Sequence, residues 1–299
     1  MADEVTTSEI KVFRTSVSSV SDSPARIFWR RLRRHRLGTF GGIIVLLMVI
    51  QGLAAPILLR ADPTAIDVER ILAPPSASHW LGTDDFGRDL LSRIVYGTRL
   101  SLFVGFSVLL FILVLGGFLG MIAGYFPAAD AVIMRIMDAL MAFPAILLAL
   151  TVMAVAGPAT FNVVAALGIA YSPRMARLAR AAVLTVRKED YIEAVRSLGA
   201  TQLRIMRRHV VPNALAPVIV QGTFTFAYAI LGEAALSFVG LGAVPPTPSL
   251  GNILADARPV IRDAPWMIAF PSLTLSVTIL GLNLFGDGLR DVLDPRMRI

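Results

Sequence analysis

The chain has 299 residues, 56% of them hydrophobic and 16% charged, with a mean hydropathy of +0.70. A soluble domain of this size has no use for so much apolar residue, and the alternating short segments of a membrane β-barrel are absent. A net charge of +7 would suit nucleic acid, but the basic residues gather in segments that alternate with apolar windows, the pattern of a polytopic α-helical membrane protein that binds lipid and no nucleic acid.

In chain order, residues 1–37 read as a polar tail, Ser/Thr-rich over 1–24, that ends in a basic anchor. The anchor, RIFWRRLRRHR from Arg26 to Arg36, suits anionic headgroups and holds the N-terminus inside. No convincing small-residue cleavage site follows, so the first apolar stretch reads as an uncleaved span and not a signal peptide. Windows of about 20 residues predict six transmembrane helices at 38–59, 100–124, 132–156, 160–180, 214–235 and 267–286.

The segment 60–99 is expected outside. Thr83 is placed to cap a helix with Asp84 and Asp85 in its first turn, Phe86, Leu90 and Ile94 share a face, and Asp89 stands four residues before Arg93. This predicts an amphipathic helix lying on the membrane before the second span. In the second span Gly116, Gly120 and Gly124 repeat every four residues, a surface for close helix packing. In the third, Pro144 predicts a kink, and Arg135 and Asp138 are spaced to neutralise each other.

The fourth span is the least apolar. Only Ala159 to Pro173 is uncharged, and Arg174, Arg177 and Arg180 are expected to snorkel towards headgroups from a helix that runs on into the next loop. Basic residues crowd 174–208 and recur in the tail 289–299, which places both termini on the cytoplasmic side. The outer loop 236–266 is stiffened by Pro245, Pro246 and Pro248.

The loop 187–213, with EDYIEAVRSLGATQLRIMRRHVVPN at its heart, is a charged island between apolar spans. Tyr191, Ala194, Val195 and Leu198 recur at helical spacing, Gly199 stands where a helix end wants a left-handed residue, and Thr201 can cap a second helix. That helix carries Leu203, Met206 and Val210 on one side and Arg204, Arg207 and Arg208 on the other, and Pro212 is expected to close it. A helix–Gly–helix elbow at a membrane surface suits a docking element that transmits force.

Here the sequence resembles a known family. Glu193-Ala194-Val195, Gly199 and His209-Val210-Val211-Pro212 match the Glu-Ala-Ala, Gly and Ile-x-Leu-Pro signature of ABC importer permeases in spacing, with Val195, His209 and Val211 as departures. The ending, the LGTDDFGRDLLSRIVYGTR segment, LSFVGLGAVPPTPSLGNIL and FGDGLRDVLDPR are similar to the DppC/OppC type. The resemblance implies an all-α, MetI-like fold of six transmembrane helices, with 38–59 preceding a five-helix core at 100–288. It implies docking by Tyr191, Glu193, Ala194, Leu198, Gly199, Arg207, His209 and Pro212. The implied partners are a second permease of the DppB/OppB type, two cytoplasmic ABC ATPase subunits that hold ATP and Mg2+, and an extracytoplasmic solute-binding protein. The implied cargo is a dipeptide or oligopeptide crossing a bacterial inner membrane; nickel, haem or glutathione importers are related alternatives.

Other features carry less. Glu233-Ala234-Ala235 repeats the triplet without the spaced glycine or proline and lies near the outer face, where Glu233 could touch the translocation path, as could Pro144. Asp85-Phe86-Gly87 lacks the companion motifs of a kinase. Neither lysine, Lys11 or Lys188, follows the glycines of a nucleotide-binding loop, so any ATP is hydrolysed by other chains. His35, His79 and His209 have no metal-ligand spacing, no nucleophile–base–acid constellation is visible, and no cofactor is expected in this chain. The rival reading is a secondary transporter or channel with an ion path through Arg135, Asp138 and Glu233.

Overall fold

The computed structural model describes residues 35–58 and 62–293, together with Arg26, Arg30, Leu32 and Arg33. The polar tail 1–24, most of the basic anchor and residues 294–299 lie outside the described residues. The helices are α1 (Arg36–Leu58), α2 (Leu90–Ile112), α3 (Phe118–Tyr125), α4 (Pro127–Met141), α5 (Ala145–Ala156), α6 (Thr160–Val186), α7 (Asp190–Ser197), α8 (Gln202–Ile205), α9 (Val211–Phe238), α10 (Leu250–Asp256) and α11 (Trp266–Leu293).

Two of the long helices contain a wide turn with i→i−5 character. One, Leu113–Gly117, joins α2 to α3; the other, Met206–Val210, joins α8 to α9. Four helical stretches among the described residues are long and apolar enough to cross a bilayer: Arg36–Ile57, Leu90–Tyr125, Gln202–Phe238 and Trp266–Leu293. The α4–α5 pair, bent by 88° between Met141 and Ala145, makes up to five. Proline has no N–H and cannot continue a helix from behind, so the break falls at Pro144. The expected count of six is thus not met on apolarity. Helix α6 has the length, 27 residues, but its arginines interrupt the apolar run.

Those arginines do not simply reach for headgroups. Arg180 holds Asp130 of α4, with Nη2 to Oδ2 at 2.6 Å, and Arg177 holds Asp138 at 2.7 Å. The expected Arg135–Asp138 pair is therefore replaced by a pair between helices, because α6 lies along α4 and a guanidinium reaches further than one helical turn. The glycine stripe meets α6 as its spacing predicts. A Cβ at Gly116 would lie 2.6 Å from the Ser172 carbonyl oxygen, one at Gly124 2.7 Å from Val183 Cβ, and one at Gly120 would overlap the Ala176 backbone. Here backbones touch, and any side chain would part the helices.

The central core joins α2, α5, α6 and α9 through Val104, Val108, Ile112, Met153, Leu167, Met175, Val218 and Leu236. Helix α1 stands outside this core and lies on α11, Gly38 against Gly288 and Gly41 against Phe285. His35 Nε2 meets Asp291 at 2.9 Å where the two helices end.

At the Leu90 end of α2 sits a cap built from residues 62–89, α10 and the start of α11. Leu90, Ile94, Leu250, Ile253, Ala264 and Met267 form its apolar floor. The separate surface helix expected from Thr83 does not form. Gly82 and Gly87 have φ of +81° and +77°, so the chain turns tightly through this stretch and the helix begins only at Leu90. Asp89 caps it, accepting from Ser92 N–H at 2.8 Å. Asp89 binds His79 Nδ1 at 2.9 Å and not Arg93, since a capping side chain points back over its own first turn.

Candidate functional site

At the other end of the same long helix, beyond Tyr125, the segment from Lys188 to Val210 folds as the elbow. Asp190 and Glu193 stand in the first turn of α7, where carboxylates suit the helix dipole. The helix stops in a two-bond C-terminal motif: Gly199 N–H donates to Arg196 O at 3.0 Å and Ala200 N–H to Val195 O at 3.4 Å. Gly199 has φ +83°, and nothing lies within 4 Å of where its Cβ would stand. Backbone conformation, not lack of space, requires glycine here.

The face turned inward is centred on Ile192, a residue outside the expected apolar set. Ile192, Ile205 and Val210 are fully buried, with Val195, Ala200 and Met206 beside them, against Tyr125, Val183 and Ala214. Tyr191, Ala194, Leu198 and Leu203 are exposed, Leu198 by 87%. A helix of two turns lets an apolar residue sit on either side of an amphipathic divide, and only packing against Tyr125 and Val183 selects Ile192. Thr201 precedes α8 in extended backbone, but its side chain makes no capping bond.

Pro212 does not close the second helix. The wide turn Met206–Val210 brings the Val211 N–H to Met206 O, and Pro212 enters α9 in its first turn, where a missing N–H costs nothing. The elbow therefore runs without interruption into the span Gln202–Phe238, 37 residues long. His209 lies with its ring 6.4 Å from that of Tyr191, and Asn213 Nδ2 donates to both Tyr191 Oη at 3.2 Å and His209 O at 2.6 Å. Partial burial, with Glu189 nearby, pushes the Tyr191 phenol above its ordinary value. The side chains of Glu193, Arg196, Arg204, Arg207 and Arg208 are exposed and form no ion pair among the described residues.

Three contacts tie the elbow to its surroundings. Tyr125 Oη donates to Gln202 O at 2.8 Å. Arg187 Nη1 donates to Gly124 O at 2.9 Å and Tyr125 O at 3.0 Å, and its guanidinium lies 5.1 Å from the centre of the Tyr125 ring. The cation thus satisfies the last carbonyls of α3 where the helix dipole is negative.

Glu233 and Pro144 lie away from this elbow. Glu233 is 1% exposed in α9, and both of its oxygens are occupied: Ser101 Oγ donates at 2.6 Å and Ser237 Oγ at 2.8 Å. The cap holds a group that sequence reasoning missed. Asp84, fully buried, accepts from Phe86 N–H and Arg88 N–H at 2.9 Å and pairs with Arg88 Nε at 2.6 Å and with Arg93. Arg93 also reaches Asp256 at 3.3 Å. The only local signal was the density of charge in TDDFGRDLLSR.

The family model described as binding-protein-dependent transport system inner membrane component matches residues 112–299. The model for the N-terminal TM domain of oligopeptide transport permease C matches residues 23–75. The di/tripeptide transport system permease protein DppC of Pseudomonas aeruginosa is 45% identical, over 94% of this chain and 95% of that one. The dipeptide transport system permease protein DppC of Alkalihalophilus pseudofirmus is 44% identical, over 92% and 91%. Among solved structures, the MetNI methionine ABC transporter in an inward-facing form shares the fold, with a TM-score of 0.58 at 21% identity over 69% of this chain and 98% of that one.

Proposed function

We propose that this chain, which belongs to the family of binding-protein-dependent transport system inner membrane components, is the membrane gate of an ATP-driven importer of dipeptides or oligopeptides. The observation that carries the reading is the elbow's outward face. Tyr191, Ala194 and Leu198 lie along one exposed strip of α7, and the chain's own packing uses the adjacent strip of Ile192 and Val195. An apolar helix face in water, rimmed by arginines that have no acidic partners among the described residues, is suited to a groove in another protein. The groove would belong to cytoplasmic ATPase subunits, which hold ATP and Mg2+, with the elbow on the cytoplasmic side of the inner membrane.

In this mechanism closure of the ATPases displaces α7 and α8. Since α8 continues through the wide turn into α9, the displacement enters the membrane directly. Glu193, whose carboxylate has no partner among the described residues, and Arg207 contact the partner; Gly199 sets the angle between the two helices; Pro212 and His209 shape the entry into α9. A second permease subunit completes the passage, and an extracytoplasmic solute-binding protein delivers the peptide. The peptide assignment rests on the relatives named above, both described as transporting dipeptides or di/tripeptides.

Gly199→Asp tests the docking. Asp enters the left-handed region more readily than most residues, and the space beside Gly199 is open, so the substitution places a charge at the elbow with some backbone strain but no clash. The variant is expected to reach the membrane in parental amounts and to lose ATP-dependent uptake of a labelled dipeptide. Unchanged uptake would count against docking through this elbow.

A further inference from the structure

Docking explains where force enters but not how α3, α4 and α6, which have no continuous helix into the elbow, would follow it. We propose, on the basis of the docking reading above, that Tyr125 and Arg187 are positioning residues that lock the elbow to the α3–α4 corner and to the end of α6. The displacement of the elbow then carries all three helix ends as one body.

The geometry is a relay of three segments. Arg187 follows directly on α6 and donates to the carbonyls of Gly124 and Tyr125 at the end of α3. Tyr125, buried under that guanidinium, donates in turn to Gln202 O in the first turn of α8. Apolar packing around Ile192, Ile205 and Val183 alone would resist compression but permit sliding. Directed hydrogen bonds fix the register as well. The contacts therefore transmit a pull as well as a push.

The same helices have a place to yield further along. The wide turn Leu113–Gly117 interrupts the α2–α3 helix, and Gly116 there lies against the Ser172 carbonyl, beside Pro173 in α6. Two backbone irregularities face each other in neighbouring helices, and such positions bend more readily than regular helix. The body that moves is thus bounded by the elbow on one side and by this pair of irregular turns on the other.

The test uses the complete transporter, with its ATPase and partner permease, in proteoliposomes. The chain has no cysteine, so spin labels can be placed at Ser197→Cys on the elbow with Ala128→Cys at the α4 corner, and at Ser197→Cys with Ala77→Cys in the cap. Distances are measured nucleotide-free and after trapping with ATP and vanadate. In the parent the 197–77 distance is expected to change on trapping while the 197–128 distance stays fixed. In Tyr125→Phe, which keeps the ring and loses only the hydroxyl, and in Arg187→Gln, the 197–128 distance is expected to shift or broaden on trapping by roughly 2 Å or more, the scale of helix shifts in such transitions. Co-purification of the ATPase with Tyr125→Phe is expected to equal that of the parent.

A residue that merely stabilised the fold would lower yield without separating the two labels. The proposal is overturned if the 197–128 distance in Tyr125→Phe stays as fixed as in the parent, or if it already changes in the parent. A parent chain that brings down no ATPase overturns the docking reading itself, and this proposal with it.

Discussion

The cap and the elbow stand at the two ends of one helix, Leu90 to Tyr125, and they treat charge and apolar surface in opposite ways. The cap turns inward: Asp84 is fully buried and pairs with Arg93 and Arg88, and Arg93, nearly buried, reaches Asp84 and Asp256 while its Nε has no hydrogen-bond partner. The elbow turns outward: its arginines and Glu193 have no ion-pair partners among the described residues, and Leu198 is left in the open. A region that pairs most of its buried charge internally makes little demand on a second chain. A region that leaves an apolar face and several charges open is what the docking proposal requires, and the contrast states that proposal without reference to any relative.

Breaking the cap should cost the most. Arg93→Met keeps much of the side-chain volume but leaves Asp84 with Arg88 alone and strips Asp256 of its closest partner. Removing one member of a buried charge network typically costs about 3 kcal/mol or more. Thermal unfolding in detergent should show a large fall, and limited proteolysis should open residues 62–89 first. The test of the contrast is that ATPase co-purification, for whatever fraction remains folded, is unchanged.

Leu198→Asp should do the reverse. A fully exposed side chain contributes little to the fold, and surface substitutions usually change stability by no more than about 0.5 kcal/mol. If Leu198 enters a groove, placing a carboxylate there should weaken ATPase binding by about 2 kcal/mol, close to thirtyfold. Titrating detergent-solubilised permease with its ATPase measures this directly. A parental affinity would mean that the open face is only a solvated surface and would dissolve the contrast.

How much of this was legible follows from the range of each signal. Apolar length located four spans and the bent α4–α5 pair, because about 30 Å of hydrocarbon imposes it locally, but it did not extend to α6. Gly199 was legible because a left-handed helix end is a one-residue requirement, and the Gly116–Gly120–Gly124 stripe because its period is that of the helix. What escaped was what depends on distant partners. Arg93 and Asp256 are far apart in the chain and meet only because α10 folds back over α2. Arg177 takes Asp138 from Arg135 for the same reason. In α7, Ile192 and Leu198 are equally apolar, and nothing within eight residues says that Tyr125 and Val183 wait on one side only. Pro212 misled because the rule that proline ends helices has an exception at a helix start, and the wide turn that makes Pro212 a start leaves no mark of its own in the residue types.

The smallest effect refines the cap. Asp85 stands at its edge, its side chain 29% exposed, with one oxygen lacking a hydrogen-bond partner and Arg88 only at 3.6 Å. Burial, then the carboxylates of Asp84 and Asp256, raise its pKa above the ordinary 3.8, against the pull of Arg88 and Arg93. A carboxyl whose pKa is raised in the fold binds its proton more tightly folded than unfolded, so its ionisation works against folding. The penalty is complete above the raised value, shrinks as pH falls through it, and is gone below about 3.8, where both states are protonated. Asp85→Asn should therefore be more stable than the parent near pH 7, by under ~1 kcal/mol because the group is partly solvated, with the two melting temperatures converging as the pH is lowered towards 4. If Asp85→Asn proves less stable at pH 7, the long contact to Arg88 outweighs the burial, and the cap's closure of its charges extends to its rim.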